Sequence, residues 1–255
     1  MNIKINKDKS IGKVIFIVEG GKTEPFILHR IFTKIFDYQM EMEIRDKGYR
    51  KYNSKDNPLS QVFVLNAEES NIKYIAKDNE YLNNLFVRLI EEYDFDVDNS
   101  AIFYLFDRDN QSNTDSEFIR KLIEELRNSR DNPNNLRQGL LLLSYPSVES
   151  FTLSNFQKDS FKEKVVTGKV LKQLLEERKI NQSQLSEHTI CFATEELVNA
   201  LSELNVRDYN LDDFWVTNKT VFDFEEETYA KEQLYTTISL ICISLLDLGL
   251  IELED

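Results

Sequence analysis

The sequence predicts an α/β fold: a mostly parallel central sheet flanked by helices, followed by a mainly helical C-terminal lobe. Three observations predict it. Residues 14–18 (VIFIV), 101–106 (AIFYLF) and 139–143 (GLLLL) are short, nearly unbroken apolar runs, the pattern of strands buried on both faces. The segments between them place apolar residues at helical spacing. Beyond about residue 155 helical periodicity dominates. The expected division is residues 1–155 as the sheet domain and 156–255 as a helical lobe packed on it or extending it.

Each element has a local reason. Residues 1–12 form a polar lead-in with an edge strand. The strand at 14–18 stops at Glu19 and Gly20-Gly21, and Thr23 is placed to cap a helix with Pro25 in its first turn, where a missing N–H costs nothing. Leu28, Ile31, Phe32, Ile35 and Phe36 then share one face of that helix. A strand is expected at 40–44. The stretch 45–60 (RDKGYRKYNSKDNPLS) reads as a polar loop with basic and aromatic residues interleaved, a mixture that can contact phosphates and stack on bases but is more commonly a solvated loop. A short strand at 61–65 precedes a helix with Leu82, Leu85, Phe86, Leu89, Ile90 and Tyr93 on one face.

The strand at 101–106 ends in Asp107-Arg108-Asp109. Thr114 and Glu117 have capping-box spacing ahead of a helix carrying Phe118, Ile119, Leu122, Ile123 and Leu126. The strand at 139–143 runs into Ser144-Tyr145-Pro146-Ser147-Val148-Glu149, with Ser147 placed as a helix cap and Glu149 in the first turn. Helices are expected at 165–175, 197–204 and 229–248. The apolar run 238–246 (ISLICISLL) is too short to cross a bilayer and reads as a buried helix.

Composition narrows the chemistry. A net charge of −14 over 255 residues argues against coating nucleic acid by bulk electrostatics. The charge is uneven: residues 1–60 carry 12 Lys/Arg against 8 Asp/Glu, and residues 211–255 carry 2 against 11, so a locally basic face remains open. Cys191 and Cys242, with His29 and His188 far apart, give neither a disulfide framework nor zinc spacing. Any metal would be a hard cation on oxygen ligands. The N-terminus lacks the apolar core of a signal peptide, and a cytoplasmic setting is expected.

Three buried strands end in acid: Glu19 with Glu24, Asp107 with Asp109, and Glu149. On neighbouring parallel strands these five carboxylates would meet at one sheet edge, repel, and raise one another's pKa values unless a cation neutralises them. Binding Mg²⁺ or Mn²⁺ is the chemistry that uses such a pocket, because the ion holds a phosphodiester, activates water and stabilises the leaving oxygen. In an extended segment residues i and i+2 face the same side, so Asp107 and Asp109 can address one ion while Arg108 projects the other way.

VEGGKTE, FDRD and SYPSVESF, in that order, resemble the motifs of the TOPRIM domain, and the third resembles the Ser-x-Pro-x-x-Glu signature of RloB-like and OLD-type TOPRIM proteins of bacterial phage defence and abortive infection. The likeness covers roughly residues 13–155. It implies a Rossmann-like sheet and a metal-dependent endonuclease acting on DNA or RNA, with tRNA among the candidates. Glu19, Asp107, Asp109 and Glu149 fall on the catalytic positions, and these four with Glu24 on the metal-binding ones. Val148 and Phe151 depart from the aromatic residue and Trp usual around the third glutamate of RloB-like proteins.

Lys22, Arg108, Arg50, Lys51 and Ser144 are the candidate substrate contacts, and Lys164 or Lys169 a candidate cation near the third motif. The chain has no GxxxxGK[ST] segment, so an OLD-like ATPase sensor would be a separate subunit. Homo-oligomerisation is left open. Two alternatives stand beside the nuclease: an interaction module regulated by a partner, suggested by the acidic C-terminal lobe, and a DxD phosphatase of haloacid dehalogenase type.

Overall fold

The computed structural model describes residues 2–44, 48–67, 72, 79–97, 99–109, 113–130 and 138–254, without the side chains of 79–83. Arg45, Asp46 and Lys47 of the basic stretch and the Leu82 side chain lie outside the described residues. In chain order the strands are β1 (Asn2–Ile5), β2 (Lys13–Val18), β3 (Tyr38–Ile44), β4 (Tyr49–Ser54), β5 (Gln61–Asn66), β6 (Ser100–Asp107), β7 (Arg127–Asn128), β8 (Gly139–Ser144), β9 (Lys164–Val165), β10 (Tyr235–Thr236) and β11 (Ile251–Glu254). The α-helices are α1 (Thr23–Arg30), α2 (Asn79–Tyr93), α3 (Ser116–Glu125), α4 (Glu149–Ser154), α5 (Gly168–Glu177), α6 (Glu187–Glu203), α7 (Trp215–Glu232) and α8 (Ile241–Asp247).

Seven strands form the main sheet in the order β3-β4-β5-β2-β6-β8-β7. The four central strands β5, β2, β6 and β8 are parallel, with antiparallel strands at both flanks. Their apolar runs are buried because both faces are covered, as unbroken β-branched and aromatic strands require. Phe16 shows the packing: its ring lies 5.7 Å from that of Phe32 and 5.2 Å from that of Phe103. Burying one such ring contributes roughly 1.5–3 kcal/mol.

Register sets the site. Val18 lies opposite Asn66 on one side and Leu105 on the other, and Asp107 lies opposite Ser144. The carboxyl ends of all four parallel strands therefore reach one edge. After β2 the chain leaves towards β3, whereas after β6 it leaves towards β8. The ends of β2 and β6 thus flank the crevice at which open α/β sheets bind ligands.

Several local expectations are corrected. The stretch 45–60 is not a loop throughout, since Tyr49–Ser54 forms β4 between β3 and β5. Buried Tyr49 and Tyr52 hold that strand in the core, although basic neighbours disguise it in sequence. Lys22, not Thr23, occupies the cap position of α1, with no side-chain cap bond. The expected single helix then passes into a π turn over Ile31–Ile35. Asp115, not Thr114, caps α3, accepting from Phe118 N–H at 3.1 Å. Ser147 does not cap α4; Val148 holds that position.

The C-terminal apolar run divides. Ile238–Leu240 runs alongside the end of β8, with Ser239 bridging Ser144: Tyr145 N–H donates to Ile238 O at 2.7 Å and Leu240 N–H to Leu143 O at 3.1 Å. Only Ile241–Asp247 is helical, because this segment satisfies backbone groups of the strand end before it turns. The C-terminal half also packs on the sheet region through α7 against α3 and α8 against β8, and β11 pairs with β1. The main apolar cluster accordingly runs from Ile11 to Ile251, with a smaller separate one of Leu153, Val165, Leu171 and Leu175. No described helix is long and apolar enough to cross a membrane.

A carboxylate cluster at the carboxyl edge of the sheet

Glu19 is the first residue after β2, and its N–H continues the ladder to Leu105 O at 3.1 Å. Its side chain is 8% exposed, and Oε2 accepts from Asp107 N–H at 2.8 Å. Asp107 closes β6, and its Oδ1 accepts from Val148 N–H at 2.8 Å. Glu149 opens α4, where Oε2 accepts from the Ser147 hydroxyl at 2.8 Å. Glu24, in the first turn of α1, accepts from Gly20 N–H at 2.9 Å. Gly20 leaves room for that carboxylate, since a Cβ there would sit 2.4 Å from Glu24 Oε2. Three separate strand ends therefore turn acids into one place, each held by a neutral N–H or O–H donor.

Electrostatics follow from the crowding. The Asp107 carboxyl is pushed well above its ordinary range by burial first, then by the charges of Glu24, Glu19 and Glu149. Burial also raises Glu24, assisted by Glu149 and opposed by the N–H groups of Glu24 itself and Gly20. The shift on Asp107 thus links four of the five predicted acids. Asp109 is reached from the C-terminal half: a Cβ on Gly168 would lie 3.9 Å from Asp109 Oδ2 and 2.6 Å from Ser147 Oγ. The close approach of α5 to this loop therefore requires glycine at its first position.

Among the described residues, no three His, Cys, Asp or Glu side chains are grouped to hold a metal ion. Each carboxylate is instead turned onto a protein donor. The donor set nonetheless suits a hard divalent cation: every candidate ligand is a carboxylate oxygen, and the charges acting on Asp107 are all negative. Glu19, Glu24, Asp107 and Glu149 fit such an ion chemically, with Asp109 at the margin.

The proposed substrate contacts separate from the site to different degrees. Arg108 is 2% exposed and does not clamp anything from outside; its Nε donates to Glu226 of α7 at 2.9 Å and Nη2 to Ser116 at 3.0 Å, with Nη1 on Asn113 O. Alternation along the DxD segment turned it inward, to a partner that no local spacing revealed. Ser144 is likewise no surface contact, being 3% exposed with its hydroxyl 2.8 Å from that of Ser239. Lys164 is paired to Glu232 at 2.6 Å rather than directed at the acids. Lys51 pairs with Glu41 at 3.0 Å and Arg50 Nε with Glu43 at 3.1 Å, both on the β3–β4 hairpin. Lys22 is exposed at the start of α1, beside the cluster. Lys169 is exposed in the first turn of α5.

One residue was missed. Asn113 is fully buried, and its amide donates to Asp107 O at 2.7 Å and to Glu19 Oε2 at 3.3 Å, while its Oδ1 accepts from Ile72 N–H at 3.3 Å. It straps the ends of β2 and β6 together. In sequence it is one polar residue in a polar loop, and only an unusual tolerance for burial could have marked it. No protein-family model, curated protein or solved structure matches this chain.

Proposed function

We propose that this protein is a divalent-metal-dependent nuclease of TOPRIM type that hydrolyses phosphodiester bonds in DNA or RNA. The observation that carries the reading is the convergence of Glu19, Glu24, Asp107 and Glu149 at the carboxyl edge of a mostly parallel sheet, in the motif order of that domain. These four would hold Mg²⁺ or Mn²⁺, with Asp109 beside them. When bound, the ion supplies Lewis-acid stabilisation of a phosphodiester and a water of lowered pKa. The chain's own part is to orient the carboxylates, through Gly20, Asp107, Val148, Ser147 and Asn113, and to exclude bulk water by burying them. An activating ATPase subunit and a role in phage defence belong to the same proposal through the motif resemblance.

The test is incubation of the purified chain with Mg²⁺ or Mn²⁺ and a panel of single- and double-stranded DNA and RNA, tRNA included. Wild type is expected to cut, while Glu19→Gln and Asp107→Asn lose at least a hundredfold in rate. Equal cutting by those variants would sink the assignment. A chain inert alone but active with a co-purifying subunit would select the partner-regulated reading.

A further inference from the structure

A second feature of the same sheet edge has no part in holding the carboxylates. A cavity of about 280 Å³ opens between the turn after β2 and the paired ends of β3 and β4, lined among the described residues by Gly21, Pro25, Glu43, Ile44, Gly48, Tyr49 and Arg50. Gly21 is two residues from Glu19 and Pro25 directly follows Glu24, so the segment after β2 carries both cavity residues and acids of the cluster. Two of the lining glycines pack closely on Asn66. Gly48 has φ +65°, a conformation costly for an L side chain, and a Cβ there would lie 2.9 Å from Asn66 Cβ. A Cβ on Gly21 would meet Asn66 Nδ2 at 3.1 Å. Asn66, against which both glycines pack, has a buried Oδ1 with no hydrogen-bond partner among the described residues.

We propose that this cavity is a subsite for the base of an unpaired nucleotide next to the phosphodiester that is cut. The inference rests on the nuclease reading and names its substrate class: strands or loops whose bases are free to leave a stack. The cavity's lining and its size both suit a base. Its walls combine the apolar faces of Pro25 and Ile44 with both hydrogen-bonding signs, an Arg50 guanidinium anchored at 3.1 Å on Glu43 and the Glu43 carboxylate itself. Bases present such donor and acceptor edges on a flat apolar body. A base paired in a duplex cannot enter a concave pocket of this size; an unstacked one can.

The experiment compares fluorescein-labelled single-stranded pentanucleotides, intact or with one abasic residue at each position in turn, and the corresponding duplex. Binding is read by anisotropy in Mg²⁺ with the Asp107→Asn chain, which keeps the Val148 N–H acceptor and removes no cavity residue. Cleavage is read with wild type. One abasic position is expected to weaken binding about tenfold, the size of one base contact, and the duplex should bind at least as weakly. Ile44→Trp, which fills the cavity, and Arg50→Gln should each erase that positional difference, with unchanged circular dichroism and thermal midpoint showing the fold intact. Equal binding of all abasic and intact strands, or a positional effect that survives both variants, overturns the proposal while leaving the nuclease reading intact. Positional binding without cleavage by wild type, alone or with a co-purifying subunit, sinks the nuclease reading and keeps the cavity as a base-binding site.

Discussion

Replacing Asn113 is the sharpest perturbation of the carboxylate cluster, because the residue is wholly enclosed and its bonds can be counted. Asn113→Ala leaves the Asp107 carbonyl and the Ile72 N–H without the partners they have at 2.7 and 3.3 Å, and removes the amide at 3.3 Å from Glu19. A buried polar group stranded in this way costs about 1–3 kcal/mol, so the two backbone groups together predict a loss of roughly 2–6 kcal/mol. Asn113→Asp keeps the shape and the acceptor for Ile72 but puts a carboxylate where a donor faced Glu19. Its destabilisation should therefore deepen from pH 5 to pH 8 as that carboxyl ionises, while the alanine variant changes less over the same range. The assay is urea unfolding followed by circular dichroism at both pH values, with cleavage rates measured under native conditions. In both variants the rate should fall by more than the folded fraction explains, since Glu19 loses the amide that aims it. An Asn113→Ala midpoint within about 0.5 kcal/mol of wild type, or an Asn113→Asp profile parallel to it, would refute the strap.

Other predictions concern the support around the site. Glu225 is enclosed by α7 and the Thr236 segment, and burial pushes its carboxyl up to about 8. The folded state thus holds a proton that the unfolded chain releases near pH 4, so this contribution is complete below that pH and is lost as pH rises to about 8. Glu225→Gln should flatten the fall in stability between pH 5 and 8 by up to about 4 kcal/mol, and an unchanged pH profile in thermal unfolding would contradict it. Arg108→Met strands Glu226 and Asn113 O; breaking a buried pair predicts a loss of about 3–5 kcal/mol, checked by denaturant midpoint. Gly168→Ala must displace Ser147, 2.6 Å from the new methyl, at a cost of about 1–3 kcal/mol. It should also slow cleavage through Glu149, and a variant matching wild type in both stability and rate would show that the approach relaxes freely.

The sequence by itself determined the α/β class, the parallel centre of the sheet and the acids at the strand ends. Those signals are local: an unbroken apolar run such as 101–106 leaves one way to be buried, and the polar residue that stops it is the next in line. Legibility failed where a residue's neighbours are distant in the chain. The strand at β4 was hidden because Tyr49 and Tyr52 become core residues through partners distant in the chain, Phe63 and Phe32 among them. The run 238–246 looked wholly helical until Tyr145 and Leu143 claimed its first residues as ladder partners. Arg108 could be expected to face away from Asp107 and Asp109, but not to meet Glu226, 118 residues on. Asn113 carries no mark at all outside the fold, since its role is to answer polar groups brought together from β2, β6 and Ile72. Covalent order dictates which groups end each strand; register, crossover and the packing of the C-terminal half decide which of those groups share a pocket, because charge and hydrogen bonding act through space and not along the chain.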